Sequence, residues 1–258
     1  LLVFLNRYIG LSGAVLESLK TYLTGRNQCV SIKNVLSHLS ELIFGVPQGS
    51  VLGPLIFCIY TLPVGIILDK HGINYHIYAD TQVYFFFNPN ECDRALKSFS
   101  QCVSDVRSWM IQNKLKINDD KTEFLILTSQ HCKVKLHCTL QIGASCVQPS
   151  SSCRNLGVTF DEHLSMNLHV SNLCRNMLFY LRKISSLRSL LSETAAAQLV
   201  HALVTSKLDY CNSLLYGLPD CQIRRLQRVQ NVAARIVSCS PKSAHITPIL
   251  RQLHWLPV

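Results

Sequence analysis

GVPQGSVLGP (45–54) and HIYADTQVYF (76–85) are the two stretches on which the reading of this chain turns. In the first, Pro47 and Gly49 mark a turn, and Ser50 stands where a helix N-cap would, directly before an apolar run. In the second, strand-like runs Asn74–Asp80 and Gln82–Phe87 flank a very short turn, which predicts a β-hairpin with Asp80 at its tip. The turn reads Tyr78-Ala79-Asp80-Thr81 and offers a single carboxylate.

Working outward, Val51–Leu68 is a stretch without charge, long enough to resemble a membrane span. Gly53, Pro54, Pro63 and Gly65 interrupt it and Asp69-Lys70 follow, so a buried helix over Leu52–Leu62, broken by Pro63, is the better expectation. Upstream, Ala14–Thr24 has the spacing of a short amphipathic helix, and Cys29–Ile32 and Glu41–Val46 read as strands around a polar loop with Ser37-His38. Downstream, Leu96, Phe99, Cys102, Val106 and Trp109 predict a helix within Glu91–Leu115. Asn118-Asp119-Asp120 then makes a turn before a strand at Thr122–Leu127. Short β-type runs follow at Val134–Leu136, Thr139–Ile142 and Leu156–Phe160. From Ser165 the pattern is helical, most clearly at Gln222–Val237. There Ile223, Leu226, Val229, Ala233 and Ile236 form an apolar side, and Arg224, Arg228 and Arg235 fall within about 40° of one another on the other. The fold expected is α+β: a mixed unit to about residue 160, then a helical one.

Composition narrows the class. The 258 residues are 48% hydrophobic, enough for a substantial core, with too few Gly and Pro for a low-complexity chain. Twelve cysteines at irregular spacing, without a signal peptide, predict buried reduced thiols in an intracellular protein, cytoplasmic or nuclear and not secreted. The chain opens on Leu1-Leu2 without an initiator Met, as a fragment of a longer protein would. The net charge of +10 is uneven: residues 1–129 contribute +1 and residues 130–258 contribute +9. A basic half beside a neutral one suits either a nucleic-acid grip or a solvated face.

With these residues in view, the chain resembles the palm and thumb of a reverse transcriptase from a non-LTR (LINE-type) retrotransposon. GVPQGSVLGP resembles the motif around the incoming nucleotide and template, and YADTQVYF resembles the catalytic hairpin that carries YADD. NKLKINDDKTEFLIL (113–127) is similar to the Lys-bearing motif that follows, and RNLGVTFDEHLSM (154–166) to the primer-grip turn. LDYCNSLLYGLP and RLQRVQNVAARI resemble the thumb. The resemblance implies a partial palm over 1–130, a β connector with a primer-grip-like hairpin over 131–160, and a helical thumb over 161–258. It implies RNA template and DNA primer as partners, with no membrane and no obvious protein partner, and Mg²⁺ as cofactor.

It also implies roles for single residues. Gln48, Gly49 and Tyr78 would meet nucleotide and template. Asp80 would be catalytic and a metal ligand, and Lys121 a general acid for the departing pyrophosphate. Leu156 and Gly157 would shape the primer grip, and Arg224, Arg228 and Arg235 would meet backbone phosphates. Each has a plainer reading as turn former, strand residue or solvated charge.

Two departures stand out. The family's YADDTQ is here Y-A-D-T-Q, as if one Asp were deleted, and the strand carrying the first catalytic Asp would lie upstream of Leu1. A deletion of one residue also threatens to turn Val83, Tyr84 and Phe85 to the opposite face. Two-metal phosphoryl transfer needs several carboxylates to hold two ions about 3.5–4 Å apart, so a catalytically inactive remnant is expected. The alternatives are a non-catalytic RNA- or DNA-binding protein using the basic helices, and a zinc module at HCKVKLHC (131–138) with Cys146 and Cys153, whose spacing fits no common finger.

Overall fold

The computed structural model describes residues 1–46, 49–78, 80–131, 138–143 and 145–258, with Asp80 described by its backbone. The expected strand at Val134–Leu136 and the template residue Gln48 lie outside the described residues. The fold is α+β, and it divides into two compact units, Leu1–Ile117 and Asn118–Val258.

The first unit opens with helices α1 (Leu2–Arg7) and α2 (Gly13–Leu23). The region expected as two strands around a loop is one folded-over ribbon. β1 (Arg26–Gln28) pairs antiparallel with β4 (Ser40–Leu42), and β2 (Ser31–Ile32) pairs with β3 (Val35–Leu36) inside it. Lys33 and Asn34 join β2 to β3 with φ of 47° and 69°. Two consecutive left-handed residues make a turn whose twist matches a hairpin, and Asn is among the residues that adopt it readily.

Helix α3 runs Leu52–Lys70, straight through Pro63, which was expected to break it. Proline removes one backbone donor and crowds the preceding turn, a cost of about 3 kcal/mol. Residues on its far side offset this: Val64, Gly65 and Leu68 are buried on the face that meets the following hairpin. The helix is long and apolar enough to cross a membrane, and only a third of its apolar window is buried. Its other face exposes Leu55, Phe57, Leu62 and Ile66, so the expectation of a wholly buried helix is corrected to a half-covered one.

The hairpin is β5 (Asn74–Tyr78) with β6 (Asp80–Tyr84), in register Tyr78 to Asp80, Ile77 to Thr81 and Tyr75 to Val83. Pairing begins at Asp80 itself, so the second strand starts two residues earlier than the expected Gln82. Tyr75, Ile77 and Val83 are half-buried. The alternation continues beyond the strand: Phe85 stacks on Phe99 at 4.6 Å and on Phe87 at 5.6 Å, while Phe86 is 89% exposed. Phe99 belongs to α4 (Cys92–Gln112), whose buried face is Cys92, Leu96, Phe99, Cys102 and Val106.

In the second unit, β7 (Phe124–Leu125) pairs in parallel with β10 (Pro149–Ser150), and β8 (Leu140–Ile142) pairs with β9 (Ser145–Val147). β11 (Ser152–Asn155) and β12 (Val158–Asp161) form a hairpin. All strands described in both units occur in two-stranded ribbons. The helices are α5 (Asn167–Leu187), α6 (Glu193–Val200), α7 (Ser206–Asp209), α8 (Asp220–Val237) and α9 (Ile246–Gln252), with a π-helical turn at His201–Thr205 between α6 and α7. Their core joins Val170, Met177 and Leu181 of α5 to Val200 and Val204, and to Leu226, Ala233 and Val237 of α8, every one at most 1% exposed.

The cysteines correct another expectation. Among the described cysteines, Cys29, Cys58, Cys146, Cys211, Cys221 and Cys239 are free and exposed, and Cys92, Cys102 and Cys174 are free and buried.

Candidate functional site

The turn before α3 is built from its smallest residues. Gly49 has φ of +81°, a left-handed conformation that an L side chain adopts only with strain, and open space surrounds the place a Cβ would occupy. Conformation, rather than crowding, asks for glycine there. Ser50 Oγ accepts the Gly53 N–H at 3.1 Å, a cap-like bond, although the N-cap of α3 is Val51 rather than the expected Ser50, and it meets the Tyr22 hydroxyl at 2.5 Å. Tyr22 of α2 thus fixes the cap, a partnership no sequence spacing announced.

Beyond the hairpin turn, Tyr78 is 64% exposed, at a register position opposite Asp80. Asp69 accepts a hydrogen bond from the Tyr75 hydroxyl at 3.2 Å; burial first, then this bond and the Asp69 charge, raise the tyrosine pKa. Among the described residues, no group of three or more His, Cys, Asp or Glu stands close enough to hold a metal ion. The turn sequence Tyr78-Ala79-Asp80-Thr81 supplies one carboxylate, where holding a pair of Mg²⁺ ions takes several.

Lys121 closes a 3-10 turn, Asp119–Lys121, and is exposed. Leu156 and Gly157 are the two central residues of the β11–β12 turn, with φ of 45° and 88°. Gly suits the second position, and Leu at the first is a strained choice. Tyr210 supports it: its hydroxyl donates to the Leu156 carbonyl at 2.5 Å, and its ring lies 3.4 Å from where a Gly157 Cβ would be. Tyr210 belongs to the LDYCNSLLYGLP stretch, so two separately quoted motifs meet here.

After β12 the chain turns on Asp161. Its carboxylate accepts the Ser165 N–H at 2.8 Å, the Ser165 hydroxyl at 3.0 Å and the His163 N–H at 3.2 Å. Partial burial acts to raise its pKa, but these bonds outweigh it and the net shift is downward. Buried Gln222 ties α8 to the same turn, donating to the Asn167 side chain at 2.7 Å and to the Ser165 carbonyl at 3.2 Å.

The three arginines of α8 are not equivalent. Arg224 and Arg228 are exposed, and Arg224 pairs loosely with Asp220 at 3.4 Å. Arg235, expected on the same free face, is half-buried and donates through Nη2 to the Ala244 carbonyl at 3.2 Å. The chain folds back after α8, and that loop covers the last arginine.

A match to the family model for reverse transcriptase (RNA-dependent DNA polymerase) covers residues 14–160, more than half of the chain. The chain belongs to the reverse transcriptase family. This domain is of the LINE-type, non-LTR retrotransposon kind. It is 24% identical over 247 residues to the "Probable RNA-directed DNA polymerase from transposon BS" of Drosophila melanogaster, a match covering 92% of this chain and 27% of that protein. It is 27% identical over 228 residues to the "Probable RNA-directed DNA polymerase from transposon X-element" of the same organism, covering 85% of this chain and 24% of that protein. The reverse-transcriptase domain thus spans about a quarter of the length of the curated relatives it matches. No solved structure matches it. Within the domain, Gly49, Tyr78 and Asp80 belong to the first compact unit, and Lys121, Leu156, Gly157 and the three arginines to the second.

Proposed function

We propose that this chain is a palm-and-thumb portion of a LINE-type reverse transcriptase that does not catalyse DNA synthesis by itself. One observation carries the reading. The hairpin pairs Tyr78 with Asp80 and Ile77 with Thr81, so the position after Asp80, where the family pattern has a second Asp, is filled by Thr81 already in the strand ladder. A single carboxylate holds a hard divalent cation weakly and fixes no second one. Without paired ions, the charge developing on the transferred phosphoryl group lacks its main stabiliser. Gln48, Gly49 and Tyr78 would still border nucleotide and template, Lys121 would keep its place without a reaction to assist, and Leu156-Gly157 would present the primer-grip turn. A titration with Mn²⁺, followed by its relaxation effect on backbone amides, tests this: weak broadening is expected, and two tightly held ions beside Asp80 would overturn it.

The second reading, a nucleic-acid binder without catalysis, is favoured by exposed Arg224 and Arg228 on a strongly basic half. Phosphate contacts release counterions, so affinity for an RNA–DNA hybrid should fall steeply with salt. Arg224→Ala with Arg228→Ala should flatten that slope by about two. An unchanged slope would remove these residues from the interface. RNA and DNA would be met inside the cell, in cytoplasm or nucleus.

A further inference from the structure

A cleft of about 630 Å³ opens in the second unit between α5, α8 and the loop after α8. That volume lies in the range of sites for small organic ligands. Its apolar wall comes from Leu178, Leu181 and Ile236, and its charged members include Arg182, Arg235 and Lys242, with no Asp or Glu among the described residues that line it. Arg188 also borders the cleft, but its guanidinium is committed to the carbonyls of Leu191, Ile236 and Val237 at 2.7–2.8 Å.

The other cations are not used up in this way. Arg182 and Lys242 are exposed. Arg235 has one nitrogen on Ala244, while its Nε is buried with no hydrogen-bond acceptor among the described residues. An anionic group in the cleft would meet the exposed cations Arg182 and Lys242, with Arg235 beside them, while an apolar ring or chain attached to it covered Leu178 and Ile236.

We propose that this cleft is a binding site for a small organic anion: an aromatic or aliphatic body bearing one phosphate, sulfonate or carboxylate. The predominantly apolar wall favours such a compound over a polynucleotide, whose repeating charge would ask for a continuous basic track. The site uses neither Asp80 nor the exposed arginines Arg224 and Arg228, so it stands apart from the polymerase reading.

The test is calorimetric titration of the full 258-residue chain with 1-naphthyl phosphate, beside 1-naphthol and inorganic phosphate as its two halves. The expected result is affinity at least tenfold tighter than for either half. Arg182→Ala with Lys242→Ala, both exposed positions, should weaken it at least tenfold, and Arg224→Ala should leave it unchanged. Val232→Trp, at a 39% exposed position on the cleft wall, should block binding without adding or removing charge. Affinity equal to that of inorganic phosphate alone, or insensitivity to both sets of variants, would overturn the proposal. So would displacement of the probe by a single-stranded oligonucleotide that itself depends on Arg182 and Lys242, because the cleft would then belong to nucleic acid.

Discussion

Arg188 shows how much one side chain can carry. The last four carbonyls of a helix lack partners inside it. At the end of α8, Ser238 takes Ala234 with both its amide and its hydroxyl, and the Ser240 amide takes Arg235 across left-handed Cys239. Arg188 takes the remaining two, Ile236 and Val237, and places positive charge at the negative end of the helix dipole. Arg188→Met should cost about 2–3 kcal/mol in denaturant unfolding, and Arg188→Lys should recover less than half, because an ammonium cannot span both carbonyls as the planar fork does. Full recovery by Lys would contradict that account. His169 sets a pH limit nearby. Burial lowers its pKa, and its Nδ1 accepts the Thr159 N–H at 3.3 Å, which requires the neutral ring. The unfolded chain therefore binds the proton more readily, so stability is full above about pH 6.5 and declines as pH falls below that value. His169→Gln should remove that part of the acid loss, as measured by melting temperature against pH. Neither residue was legible in the sequence. Arg188 looks like any lysine or arginine of a basic half, and only the return of α8 alongside α5 gives it carbonyls to hold.

At the scale of elements, local pattern and tertiary packing pull in different directions. The helices of the second unit were readable because their apolar residues recur at helical spacing over long stretches, and the 3.6-residue period is hard to imitate. Helix α3 was misread because Pro63 is a strong local signal for a stop, whereas burial of Val64, Gly65 and Leu68 is a tertiary fact. At Gly65 helix and hairpin come close: an added Cβ would run into the Tyr75 hydroxyl and ring. Gly65→Ala should therefore destabilise by about 1–3 kcal/mol despite the better helix propensity of Ala. Tyr75→Ala should make the same substitution nearly neutral, and additive effects of the two changes would refute the contact. The short strands were harder to place, since ribbons of two or three residues leave little periodic signal. An isolated two-stranded hairpin is marginal in water. Amides of β1–β6 should accordingly exchange with solvent orders of magnitude faster than those of Met177 and Leu226. Uniform protection across residues 40–130 would contradict this.

For the molecule as a whole, the two units are unequally consolidated. The second contains a fully enclosed helical core, and Leu226→Ala there should cost about 2–5 kcal/mol. The first leaves Leu55, Leu62, Ile66 and Phe86 uncovered, along with the apolar residues of its N-terminal ribbon. The motifs that mark the family were legible because each pairs a turn residue with a fixed apolar pattern: Gly49 and Ser50 before α3, and Leu156-Gly157 inside a hairpin. The register of the Tyr78–Asp80 hairpin was not, because Phe85-Phe86-Phe87 is apolar on both faces and tertiary packing, such as the stacking of Phe85 on Phe99, orients it. That register puts Thr81 next to Asp80 in the ladder, and the shortage of carboxylate there is the central claim. Primer extension on an RNA template by the purified 258-residue chain, with Mg²⁺ and all four dNTPs, measures it directly. The account predicts no incorporation above a metal-free control; Mg²⁺-dependent extension that disappears in Asp80→Asn would contradict it.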